Sequence, residues 1–179
     1  LVGCGGDDTK IRLNEVTHSI FYAPLYAAAN LGYFEDEGLE VTIESATGSD
    51  ASMTALLSGS ADIVLVGPET VVYSQGTQDS PVVFGQLTQK DGSFFVSRDQ
   101  ASEFSLDDLK GTTIIAGRQG GMPAMTLEYI IEQAGMTIGT NTAAGEVNLR
   151  TDVAFPMIGS EFITSGCEFC TLFEPTATN

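Results

Sequence analysis

Basic side chains are scarce in this chain: seven Lys and Arg stand against 24 Asp and Glu, a formal charge of −17 over 179 residues. A positive stripe able to neutralise phosphates is absent, which excludes a nucleic-acid footprint of the usual kind. Histidine is scarcer still, with His18 alone, so a Ser-His-Asp arrangement has one possible base and nothing in the sequence marks its partners. The cysteines are Cys4, Cys167 and Cys170. Zinc wants about four ligands, and no second cysteine pair or nearby histidine supplies them, so no metal centre is expected. No apolar run approaches the roughly 20 residues that cross a bilayer as a helix. The nucleotide and hydrolase signatures fail too, since the sequence holds no G-x-G-x-x-G, no G-K-[ST] and no G-x-S-x-G. No catalytic residue and no cofactor is expected from this inventory.

What is present is an ordinary globular composition, 42% hydrophobic, in a regular alternation of short elements. KIRLNEV (10–16) alternates as a strand, PLYAAANL (24–31) reads as a helix closed by Gly32, and YFEDEG ends at Gly38. LEVTIES (39–45) is a second strand, and Gly48-Ser49-Asp50 caps a helix over 51–57. ADIVLV (61–66) is apolar enough to predict a parallel strand covered on both faces. Gly67-Pro68-Glu69 opens a helix over 70–75, and PVVFGQL (81–87) predicts another strand. Strand, helix, strand, helix in this order points to α/β architecture with parallel strands, whose ligands bind at the strands' carboxyl ends. The candidate loops are therefore 17–22, 47–50, 67–69 and 88–92, with His18 able to line a pocket or simply to face solvent.

A second unit begins near Lys90. SFFVS (93–97) and TTIIA (112–116) predict strands, Ser105 caps a short helix to 109, and residues 141–145 form a polar loop. Residues 146–153 read as extended, 154–164 as helical after the turn at Pro156, and 169–173 as the last strand. Between them GRQGGMPAMTLEYIIEQAG (117–135) places a Gly-Gly turn and Pro123 directly before an amphipathic helix. Such an N-terminus can hold an acceptor group of a ligand, or it can be a plain strand-to-helix turn. Cys167 and Cys170 form a lone C-x-x-C, favoured as simply buried, with a redox pair as the alternative. At the other end Leu-Val-Gly-Cys-Gly-Gly runs into Asp7-Asp8-Thr9 and looks like the end of a bacterial lipoprotein signal, with Cys4 as the lipidated residue; the bland reading is a chance cysteine.

The segments EVTHSIFYAPLYAAANLGYFEDEGLEV, LLSGSADIVLVGPE, LDDLKGTTIIAGRQGGMPAMTLEYIIEQAGM, VAFPM and TLFEPTA, taken in order, resemble the nitrate/sulfonate/taurine/thiamine-pyrimidine group of ABC-transporter solute-binding proteins. The resemblance runs from about residue 10 to 177. It implies a type II periplasmic-binding-protein fold, two α/β lobes with a two-strand hinge closing over a small ligand, and an ABC permease with its ATPase as partners. On that reading residues 1–9 are lipobox remnant and linker, 10–90 the first part of the first lobe, 91–172 the second lobe, and 173–179 the start of a return crossover. Members of the group continue after the LFEP segment, so an incomplete first lobe and a fragment are expected. By position the resemblance implies ligand contacts from Ser19, Phe21 and Tyr22, from Gly67 and Glu69, from Gly120, Gly121 and Met122, and from Phe155 and Glu174. Glu69 and Glu174, with aromatic and hydroxyl neighbours, would suit a small heteroaromatic solute that donates hydrogen bonds, a pyrimidine or flavin-like ring, better than a bare sulfonate or nitrate. The rival is a thiamine-pyrimidine synthase-like enzyme on the same fold, which would need a reactive lysine beside His18; the first-lobe lysines are Lys10 and Lys90.

Overall fold

The computed structural model describes residues 9–76, 80–99 and 103–179. The chain divides into two compact units, Leu1–Gln89 and Lys90–Asn179.

The first unit is built on β1 (Lys10–Glu15), β2 (Glu40–Ser45) and β3 (Ile63–Leu65), in the order β2-β1-β3 with both pairings parallel. The β1–β2 register runs from Lys10 opposite Glu40 to Glu15 opposite Ser45, so the two strands end together. Helices α1 (Ala23–Asn30) and α2 (Tyr33–Asp36) cross from β1 to β2, α3 (Ser49–Leu57) crosses from β2 to β3, and α4 (Glu69–Tyr73) follows β3. Gly32 sits at φ +79 between α1 and α2, a left-handed corner that glycine enters without steric cost. Leu13, Val16, Leu25, Met53 and Ala61 form the buried apolar interior of this unit.

Two expectations fail here. Ile63, Val64 and Leu65 are only half-buried, because β3 is the edge of a three-stranded sheet and not a strand covered on both faces. Residues 81–87 form no strand at all: Val82, Val83 and Phe84 stand exposed, and no described strand pairs with them. An extended apolar run becomes a strand only where a neighbour meets its backbone N–H and C=O groups.

The second unit is a mixed sheet of order β4-β7-β5-β6, with β4 (Ser93–Ser97), β5 (Thr113–Ile115), β6 (Asn148–Arg150) and β7 (Phe169–Phe173). β5 runs parallel to both β6 and β7, and β4 lies antiparallel to β7. Ser105 caps a 3-10 turn (Leu106–Leu109) through a capping box closed by Asp108. α5 (Met122–Gln133) returns from β5, and a 3-10 turn (Phe155–Met157) leads into α6 (Ile158–Thr164) before β7. α5 presents Ala124, Leu127 and Ile131 at helical spacing to Ile114, Ala116, Val147 and Phe169, which together form the core of the unit. The extended stretch expected over 146–153 pairs as a strand at Asn148–Arg150 and through a single bridge from Val147 to Ile138, and the 141–145 loop contains a 3-10 turn (Thr142–Ala144). After β7, Ala177 N–H donates to the Phe173 carbonyl at 3.1 Å and the chain turns, with a cis Glu174–Pro175 bond.

Candidate functional site

In the first unit the loops after β1 and β3 lie at one end of the sheet, since both strands run the same way. Ser19 is buried and its hydroxyl accepts the Phe21 N–H at 3.3 Å, capping the 3-10 turn Ile20–Tyr22. That local bond fixes the turn and buries Tyr22, while Phe21 stays half-buried with its ring 6.0 Å from that of Tyr22. After β3, the Glu69 carboxylate folds back over Gly67. A Cβ on Gly67 would lie 2.0 Å from Glu69 Oε2, so only glycine leaves room for this arrangement. Glu69 is buried as the first residue of α4, where an N-terminal carboxylate is favourable.

A polar cluster centred on Glu15 lies at the same end of the sheet; it holds His18, which the sequence offered as a pocket-lining residue, together with Glu15, Tyr26 and Ser45, which sequence reasoning missed. Glu15, the last residue of the central strand, is 1% exposed. Its carboxylate accepts Ser45 Oγ at 2.5 Å, Tyr26 Oη at 2.5 Å and His18 Nδ1 at 2.9 Å. Tyr26 Oη in turn accepts the Ser19 N–H at 3.2 Å, and burial, then the bond to Glu15, push its phenol up to about 12. The His18 ring packs on Tyr26 with centroids 4.5 Å apart, and its side chain remains 73% exposed. The sequence did carry a signal for this: Ile11, Leu13 and Glu15 occupy alternate positions of β1, so Glu15 is a charge written on the buried face of a strand.

In the second unit the predicted residues gather at the carboxyl ends of β5, β6 and β7. Gly117 takes φ +97 just after β5, and a Cβ there would meet the Phe155 ring at 2.9 Å. Gly120 takes φ +73, Gly121 is the extended N-cap of α5, and Met122 is its first residue, with Pro123 in the first turn. No side chain caps this end and its first turn holds no acidic residue, so the positive end of a 12-residue helix is not offset locally. Phe155 is buried and meets Phe173 edge-on at 5.6 Å. Arg118 reaches the Asp152 carbonyl at 3.2 Å. Glu174 is half-buried and its carboxylate accepts Thr178 Oγ1 at 2.6 Å, so it serves the turn that follows β7. Thr171, between Phe169 and Phe173 on the same face of β7, is 4% exposed and its hydroxyl has no hydrogen-bond partner among the described residues.

Cys167 and Cys170 are free and buried, and burial pushes the Cys170 thiol up to about 12. Arg150 Nη1 lies 4.0 Å from Cys167 Sγ while it pairs with Glu161 at 2.6 Å and Asp152 at 3.0 Å. Arg98 also braces this corner: it donates to the carbonyls of Phe162, Ser165 and Cys167 and lies over the Phe162 ring at 4.5 Å. Among the described residues no group of three or more His, Cys, Asp or Glu could hold a metal, and no helix is long and apolar enough to cross a membrane. Cys4 lies outside the described residues.

Each unit carries loops at the carboxyl ends of its parallel strands, and the second adds a helix N-terminus there, which is where open α/β sheets bind their ligands. The chain belongs to the NMT1/THI5-like family, whose model matches residues 20–162. It is 41% identical over 182 residues to YtlA of Bacillus subtilis (strain 168), which carries the name of a binding protein; the match covers 99% of this chain and 53% of YtlA. Among solved structures it resembles the alkanesulfonate-binding protein SsuA of Xanthomonas axonopodis pv. citri bound to MOPS, with TM-score 0.67, 12% identity and coverage of 93% and 55%. The aliphatic sulphonate-binding SsuA of Escherichia coli is similar, with TM-score 0.63, 14% identity and coverage of 94% and 55%. The fold is therefore that of the type II periplasmic binding proteins. The chain spans about half the length of these relatives.

Proposed function

We propose that this chain is part of an extracytoplasmic receptor that binds a small heteroaromatic solute, a pyrimidine or thiamine precursor or a flavin-like ring, and delivers it to an ABC permease driven by its ATPase. The observation that carries the reading is the make-up of the carboxyl-end loops. In the first unit these loops carry Phe21 near Tyr22 and the buried carboxylate of Glu69; in the second, taken by itself, they carry Phe155 on Phe173 and the N-terminus of α5, which no side chain caps. Rings and hydrogen-bonding groups suit a flat solute with polar edges. Ser19, Gly67, Gly120, Gly121 and Met122 supply the backbone turns around those groups, and Glu174 supports the turn beyond β7.

A thiamine-pyrimidine synthase-like enzyme is the less favoured reading. Lys10 opens β1 and His18 follows its carboxyl end, so these two lie at opposite ends of a six-residue strand, and Lys90 begins the second unit. A sulfonate or nitrate receptor is favoured less as well, because Arg118, the basic residue of the Gly-Gly loop, is engaged with the Asp152 carbonyl.

A thermal-shift screen of pyrimidines, flavins, sulfonates and nitrate on the full-length protein, followed by calorimetry, tests the solute. A charge-assisted hydrogen bond to a solute contributes about 1.5–3 kcal/mol, so Glu69→Gln is expected to weaken binding roughly tenfold or more. Stabilisation by sulfonates alone, with unchanged affinity in that variant, would refute the heteroaromatic reading. The anchor is tested separately. The precursor expressed in a bacterium is expected in the membrane fraction, and Cys4→Ser is expected to release it; identical partitioning of both forms would remove the lipid from the proposal.

A further inference from the structure

We propose that Glu15 fixes His18 as its Nδ1–H tautomer, and that Nε2 of His18 is the first-unit acceptor for an N–H of the bound solute. Glu15 is then a positioning residue and His18 a solute contact. The solute half of this inference rests on the receptor reading above.

A carboxylate 1% exposed at the end of a strand persists only when donors surround it. Tyr26 donates its phenolic proton to Oε2, because a phenol pushed up to about 12 keeps that proton, and the phenol oxygen is then free to accept the Ser19 N–H. Ser45 Oγ donates to Oε1. His18 Nδ1 approaches the same Oε1 at 2.9 Å. A bare ring nitrogen there would set lone pair against lone pair, so Nδ1 carries a proton. In a neutral imidazole the other nitrogen then has none, and the hydrogen bond at one ring nitrogen decides what the other offers.

The ring is held on two sides and open on the rest. Glu15 holds its Nδ1, Tyr26 lies against its face at 4.5 Å, and 73% of the side chain is exposed. Orienting an exposed side chain costs rotamer entropy with no gain in apolar burial. Here the orientation is maintained from a fully buried group, at the carboxyl end of the central parallel strand, next to the turn that carries Ser19 and Tyr22. Ligands of open α/β sheets bind at that end. An aligned lone pair in that place selects a solute with an N–H, such as the exocyclic amine of an aminopyrimidine, over a sulfonate or nitrate, which offers only acceptors.

The test uses the full-length protein labelled with 15N-histidine, observed by NMR at pH 8.5, above the ordinary imidazole range. The His18 signals are assigned by their loss in His18→Gln. The expected spectrum has Nδ1 in the protonated, pyrrole-like form and Nε2 in the unprotonated form, and Glu15→Gln is expected to shift it towards a mixture of tautomers. Should Glu15→Gln unfold, Tyr26→Phe keeps the ring contact, loosens Glu15 and is expected to move the spectrum in the same direction. A His18 ring protonated on Nε2 in the wild type would overturn the positioning role. 4-Aminopyrimidine is the solute probe and methanesulfonate the control. The aminopyrimidine is expected to shift the Nε2 signal saturably, His18→Ala to weaken its binding about tenfold, and methanesulfonate to leave Nε2 unmoved. Aminopyrimidine binding with an unshifted Nε2 and unchanged affinity in His18→Ala would overturn the contact and leave the receptor reading standing. Failure of the aminopyrimidine to bind, whether or not methanesulfonate does, would overturn the solute contact and the heteroaromatic reading together, while the tautomer spectrum by itself decides the positioning role of Glu15.

Discussion

Replacing Thr171 by valine is expected to make the protein more stable, the opposite of the usual outcome for a buried site. Thr171 is 4% exposed, and its hydroxyl has no hydrogen-bond partner among the described residues. Its surroundings on that face of β7 are apolar: Phe169 and Phe173 flank it along the strand, and a Cβ built on Gly117 would stand 3.7 Å from the hydroxyl and 2.9 Å from the Phe155 ring. A polar group buried without a partner costs about 1–3 kcal/mol, whereas valine has the same shape and nothing to satisfy. Taking about 1 kcal/mol of this, a domain of roughly 60–100 residues gains about 4–8 °C in Tm. Thr171→Ser keeps the hydroxyl and loses a methyl group, so it should melt below the wild type by about the value of one buried methyl, of order 1 kcal/mol. Calorimetric melts of the wild type and both variants without added solute decide the matter. A lower melting temperature for Thr171→Val than for wild type would refute the reasoning, because it would mean that the hydroxyl is bonded in the folded protein.

Asp62 bonds the Arg12 guanidinium and the Arg12 backbone N–H, and these, in that order, hold its carboxyl down to about 2. A carboxylate depressed in this way stabilises the fold above its unfolded pKa near 3.9, and its contribution is lost as pH falls from about 4 through about 2. NMR titration should place Asp62 near 2 in the wild type and higher in Arg12→Gln; titration near 4 in both would show that the pair does not form. Both Cys167 and Cys170 are buried, and burial holds the Cys170 thiol up at about 12. Neither should react with iodoacetamide at pH 8 until guanidinium unfolds the protein, and rapid alkylation of the native form would contradict their burial.

The outcome at particular elements shows which physics is local. β1, β2 and α5 were legible because alternation, helical spacing and terminal glycines act within a few residues. The Gly-Gly-Met-Pro entry to α5 was legible for the same reason, since backbone freedom at Gly120 and a proline in the first turn are decided by neighbours in sequence. Residues 81–87 looked equally like a strand, yet strand formation depends on a partner that no local pattern supplies. Glu174 read as a ligand group in front of a proline, and the bond that its carboxylate accepts from Thr178, four residues on, appears only in the folded turn.

The amino-acid sequence by itself determined the α/β alternation, the family resemblance and the loops at the strands' carboxyl ends, because those follow from periodicity and from residues adjacent in the chain. Tertiary structure alone decided which polar groups in those loops hold each other and which face outward. Glu15 is one of 24 acidic residues in the sequence. It becomes the centre of a cluster only when parallel pairing sets it opposite Ser45 and the turn after β1 brings His18 and Tyr26 to it. Hydrogen bonds between residues up to 30 positions apart depend on strand register and helix return, which the chain settles only by folding.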